Sequence, residues 1–141
     1  MDIQCDCAKF QARLKAFPNN TPGRLVCYCD DCQTYLHHLQ RAELLDANGG
    51  TEIIPAYPAD VEILHGKENL KCIRLSPGGI FRFYTACCNT PIANARPGAP
   101  WAGFLRRAYT ARGNGQKLEQ LLGPVRSRIM GRFAHGTPPI G

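Results

Sequence analysis

Apolar residues in this chain alternate more often than they recur at helical spacing, and that balance predicts a fold rich in short strands. Ile3, Cys5 and Cys7 fall on one face of a strand expected across residues 3–15. "FPNNTPG" at 17–23 has turn chemistry, and "RLVCYC" then resumes a strand. Asp30 or Asp31 is placed to cap a helix over residues 32–41 that turns Tyr35, Leu36 and Leu39 inward. "DANGG" at 46–50 ends it, and "TEIIPAY" predicts a strand at a sheet edge because Pro55 lacks an N–H for the ladder. "PADVEILHGKENL" reads as a loop or short helical turn. "LKCIRL", "SPGG" and "IFRFYT" at 70–85 predict a β-hairpin, with "ACCNTPIANA" at its far end.

After residue 95 the period changes. Trp101, Phe104, Leu105 and Ala108 recur at i, i+3, i+4 and i+7, and Leu118, Leu121 and Leu122 repeat the spacing before Pro124. Two helices are expected there, followed by a disordered tail, "GRFAHGTPPIG". The expected organisation is a mainly β, antiparallel domain over residues 1–95 with cysteine-bearing corners. A basic helical extension over 96–141 packs on the same single domain.

The 141 residues fit one domain able to bury a core without staples. The 44% hydrophobic and 20% charged content is that of a globular chain. No apolar run reaches the roughly 20 residues of a membrane span, and "MDIQCDCAKFQ" is not a signal peptide, so the expected location is the cytoplasm. The net charge is +6, and residues 96–141 hold eight basic residues against Glu119 alone. Such a flank suits an anionic partner or a solvated face. The solvated face is favoured over nucleic acid because no aromatic residues interleave with the charges.

Eight cysteines change the picture most. They group as Cys5 and Cys7; Cys27, Cys29 and Cys32; Cys72; and Cys87 and Cys88. Metal sites, a redox pair and a disulfide framework all use such thiols. A reducing compartment and the tight C-x-C spacing argue against the framework. Four sulfurs from Cys5, Cys7, Cys87 and Cys88 could close a structural zinc site, whereas the trio has the three-ligand count of an open one. Cys29-x-x-Cys32 at a helix start is the redox alternative. Cys72 reads as core. His37 is the candidate fourth ligand to the trio if that site is closed, although its spacing points it off the Cys32 face. His65 and His135 read as surface residues.

C-x-C near the start, C-x-C-x-x-C some twenty residues later, and a hairpin leading into "CNTP" at 88–91 together resemble the glutathione-dependent formaldehyde-activating enzyme family, which includes centromere protein V-like members. The resemblance covers roughly residues 3–95 and implies a zinc-containing, β-rich Mss4-like fold. It implies a structural zinc at Cys5, Cys7 and Cys88, and a functional zinc at Cys27, Cys29 and Cys32 beside a glutathione site. Two positions depart from the pattern. Ala8 stands at the family's glycine, and Thr85 stands at a ligand cysteine, with Cys87 offered instead.

The activity implied is that of a carbon–sulfur lyase, an S-(hydroxymethyl)glutathione synthase-like enzyme. The trio's zinc would take a thiol sulfur in its open position, deprotonate it and hold it against an aldehyde. The cofactors implied are zinc and, as co-substrate, glutathione, whose carboxylates Arg24, Arg82 or Lys71 could meet. The partner is then a small thiol or its aldehyde adduct. The rival readings are a non-catalytic, zinc-stabilised binding module and a thiol–disulfide switch.

Overall fold

The structure is a computed structural model that describes residues 2–16, 21–110 and 115–139. It is mainly β, with two sheets. The smaller contains β1 (Asp2–Gln4), β2 (Gln11–Leu14), β5 (Val61–His65) and β10 (Tyr109–Thr110), in the order β10-β1-β2-β5. The larger contains β3 (Leu25–Cys27), β4 (Thr51–Ala56), β6 (Leu70–Ile73), β7 (Phe81–Thr85), β8 (Thr90–Ala95), β9 (Ala102–Leu105) and β11 (Ser127–Ile129). Its order is β11-β3-β4-β9-β8-β7-β6, antiparallel except where β11 runs parallel to β3.

The two sheets bury one another's inner faces. Ile3, Ala12 and Leu14 meet Ile54, Ile92 and Phe104, and helix α2 (Gly115–Leu122) adds Leu118 and Leu122. Tyr109 packs edge-on to Phe104 and donates its hydroxyl to the Ile54 carbonyl at 2.9 Å, so this buried polar group is satisfied. Helix α1 (Asp30–His38) covers the opposite face of the large sheet, laying Tyr35, Leu36 and Leu39 against Leu105.

Several expectations are corrected. The strand expected across 3–15 is two strands, and the turn between them carries Cys5 and Cys7. Trp101–Ala108 is not a helix: Ala102–Leu105 is a strand between β4 and β8, followed by a 3-10 turn at Arg106–Ala108. All four residues of β9 are buried, and a strand covered on both faces shows an apolar run with no period-2 signature. Pro55 is not on an edge strand, because β4 lies between β3 and β9. However, β3 covers only Thr51–Ile53, so the ladder at Pro55 is one-sided and the missing N–H is tolerated.

The "VEILH" segment, expected as loop, is β5. Cys72 lies in β6 as expected but is exposed, not core. The described part of the tail is tied to the body of the fold: the His135 N–H donates to the Asn48 carbonyl at 2.8 Å, and its ring shares a 2.9 Å hydrogen bond with Gln33 Oε1. Residues 17–20 of the first loop, and Arg112, lie outside the described residues.

Candidate metal centres

The structure gathers seven of the eight cysteines into two groups, and in each group all sulfurs lie within 4.8 Å of one another. All eight are free thiols, so no disulfide framework forms.

The first group holds Cys5, Cys7, Cys87 and Cys88. Cys5 follows β1 directly, where a tight turn folds back to β2. The Ala8 N–H donates to the Cys5 carbonyl at 3.0 Å, and the Phe10 N–H points at Cys5 Sγ at 3.4 Å. This turn needs a left-handed residue, and Ala8 supplies it at φ +63°. That is the position where the resembled family has glycine. Cys87 and Cys88 sit in the turn joining β7 to β8, with Asn89 at φ +50°. On a straight strand they would point to opposite faces; the turn aims both at the first corner.

Cys87 Sγ lies 3.2 Å from Cys7, 3.7 Å from Cys5 and 3.8 Å from Cys88. Thr85, at the position of the family's missing ligand, is fully buried with Oγ1 3.5 Å from Cys88 Sγ, and Thr90 Oγ1 is at 3.1 Å. Burial opposes ionisation of Cys88, but hydrogen bonds from Thr90 and Thr85 overcome it and lower its pKa to about 6. Desolvation and the thiol contacts to Cys7 and Cys5 push Cys87 up to about 12. Four crowded thiols cannot all ionise without a cation among them. Arg41 fastens the corner from outside, through Asp6 at 2.6 Å and the Cys88 and Asn89 carbonyls.

The second group holds Cys27, Cys29 and Cys32. Cys27 ends β3, and Cys29 is the N-cap of α1, where its Sγ accepts from the Cys32 N–H at 3.3 Å. The capping role expected of Asp30 or Asp31 therefore falls to a thiol, and the two aspartates occupy the first turn. Cys27 and Cys32 sulfurs are 3.8 Å apart. Hydrogen bonds from Cys27 and then Cys32 hold Cys29 down to about 2, and Arg82's charge acts in the same direction. The same sharing with Cys27 and Cys29 raises Cys32. Arg82, 1% exposed, points Nη1 at Cys32 Sγ at 3.7 Å and lies over the Tyr35 ring. No carboxylate pairs with it among the described residues.

A fourth metal ligand is absent from the trio among the described residues, and His37 and His38 are exposed on α1. The trio opens instead on a cavity of about 480 Å³. Its floor is a cross-strand row, Arg82 on β7, Asn94 on β8 and Gly103 on β9. A Cβ at Gly103 would come within 2.7 Å of Ile53 Cγ2, so glycine keeps the floor low. Trp101 and the β11 segment Ser127–Met130 form the walls. That segment is pinned by Arg128 Nη1, which donates to the Tyr28 hydroxyl at 2.7 Å. Arg82 alone of the three arginine and lysine candidates reaches this cavity. Arg24 is tied to Glu52 and Glu119 on another face, and Lys71 lies outside the lining.

Sequence reasoning missed Asn94, Gly103, Trp101 and the β11 wall. The only signal for them was indirect: a lone tryptophan and a glycine inside an apolar run.

Both groups suit a thiophilic ion. Tetrahedral coordination at the usual zinc–sulfur length of about 2.3 Å separates neighbouring sulfurs by about 3.8 Å. Five of the nine sulfur pairs lie 3.2 to 3.8 Å apart, and all nine lie within 4.8 Å. The molecule is thus a two-sheet β protein with two thiol clusters positioned to hold metal, one of four sulfurs and one of three.

The chain belongs to the family of unknown function DUF6151, whose profile matches residues 1–141. No curated protein matches it. A crystal structure of a Rhodobacter sphaeroides protein is similar in fold, with a TM-score of 0.61 and 16% identity, covering 91% of this chain and 99% of that one.

Proposed function

We propose that this is a two-centre zinc protein in which Cys5, Cys7, Cys87 and Cys88 form a closed structural site and Cys27, Cys29 and Cys32 form an open one. The open site takes the sulfur of a small thiol or of its aldehyde adduct. The observation that carries this reading is the pairing of a three-sulfur cluster, without a fourth protein ligand among the described residues, and a cavity that begins at that cluster. Bound zinc would lower a thiol's pKa so that it is a nucleophile at neutral pH. The cavity would then hold an aldehyde against it: sulfur would add to the carbonyl carbon, the C=O π bond would open, and the proton shed by the thiol would pass to the new alkoxide oxygen, giving an S-hydroxyalkyl thioether; the reverse reaction would cleave the carbon–sulfur bond. The resemblance to the formaldehyde-activating enzymes supports this lyase class.

A binding module closed by His37 is disfavoured by the exposure of that residue. Nucleic acid is disfavoured because Arg106 and Arg107 are occupied by Glu119 and Asp6. No helix among the described residues is long and apolar enough to cross a membrane. The free thiols suit the cytoplasm.

The test is metal content by elemental analysis, with a thermal melt, for the reduced protein and for Cys29→Ser. Two zinc ions falling to one, with the melt nearly unchanged, is the expected result. One zinc or none in the parent protein, or collapse of the fold in the variant, would overturn the open-site reading.

A further inference from the structure

We infer that the thiol taken by the open centre carries an apolar body, alkyl or aryl, in place of the charged peptide body of glutathione. This rests on the open metal centre proposed above and adds the substrate class. Arg82 lines the cavity floor but is 1% exposed and already engaged with Cys32 and the Tyr35 ring. Asn94 Oδ1, buried with no hydrogen-bond partner, adds a neutral acceptor to the floor that no carboxylate can pair with. The rest of the lining is mostly hydrocarbon, with Leu25, Ile53, Trp101, Ile129 and Met130.

Ile129 and Met130 are 43% and 41% exposed, a large uncovered apolar surface beside a thiol cluster. Cys29 is the one sulfur of the trio that is not fully buried, so it marks the side from which a ligand reaches the centre. The charged groups Arg96 and Asp31 lie at the exposed rim. A glutathione molecule seated here would strip water from two carboxylates and an ammonium and return it mostly apolar contacts. A phenyl or short alkyl group loses nothing and gains its burial.

The experiment uses the full chain loaded with cobalt(II), whose visible bands report a thiolate entering the trio's centre. It is titrated separately with phenylmethanethiol, 2-mercaptoethanol and glutathione. The zinc-loaded protein is titrated in parallel by fluorescence of Trp101, the chain's single tryptophan and a wall of the cavity. The expected result is a midpoint for phenylmethanethiol at least ~10-fold below that for glutathione, with a matching change in tryptophan emission. Ile129→Glu should erase that preference at unchanged metal content. Equal or tighter binding of glutathione overturns the inference and leaves the open centre standing. No spectral response to any of the three thiols overturns both.

Discussion

Replacing Arg82 by methionine removes the one charge buried against the trio among the described residues, and the cost can be worked from the structure. Three thiolates and a divalent ion carry one net negative charge. Arg82, with no carboxylate among the described residues, supplies the balancing positive one. At the 3.7 Å from Nη1 to Cys32 Sγ, and an effective dielectric of about 20, a unit pair attracts by about 4 kcal/mol. Relaxation and water entry recover part of this, leaving a loss of about 3 kcal/mol, or about 100-fold in metal affinity at the trio. The assay is competition with a chromophoric chelator, in which the two centres release metal in separate steps. The expected result is one step moved by about 100-fold, the other unmoved, and most of the affinity kept in Arg82→Lys. A well-folded Arg82→Met variant that holds both metals within ~3-fold of the parent would refute the charge argument.

Two further predictions concern the remainder of the fold. Ala8→Gly should stabilise the protein by about 1 kcal/mol in chemical denaturation, because φ +63° strains alanine and not glycine; an unchanged or lower midpoint would show that the turn tolerates the methyl group. Hydrogen bonds from Arg106 and then Arg24 hold the Glu119 carboxyl below its ordinary 4.5. A lowered folded pKa means stability that is fully present above 4.5 and lost as the pH falls through the folded value. Glu119→Gln should therefore melt below the parent protein at pH 7, with the two curves converging in acid; a constant gap across that range would count against the linkage.

The parts legible in the sequence are those whose signal is local. The hairpin at 70–85, the strand at Leu25 and the inward face of α1 follow from period and turn chemistry within a few residues. The sulfur groupings follow from C-x-C spacing and from the resemblance, and the structure brings those same residues together. What stayed hidden depends on neighbours far along the chain. β9 looks helical because burial on both faces erases its alternation. Pro55 looks like an edge residue, yet its strand is central and its own stretch is paired on one side only. The cavity was invisible because its floor joins residues from three strands and its wall belongs to β11. The capping thiol of Cys29 was passed over because aspartate beside it is the commoner cap.

The parallel pairing of β11 with β3 has a consequence for the order in which the protein is built. Tyr28 and Arg128, which tie these segments together, are 100 residues apart in sequence. During synthesis all four thiols of the first cluster are in the chain once Cys88 is made, well before β11 is. The trio is made earlier, but its cavity waits for β11. Until then Cys27, Cys29 and Cys32 stand beside an uncovered strand edge, open to any thiophilic ion or oxidant in the cell. The four-sulfur corner can thus be completed on a shorter chain than the trio's cavity.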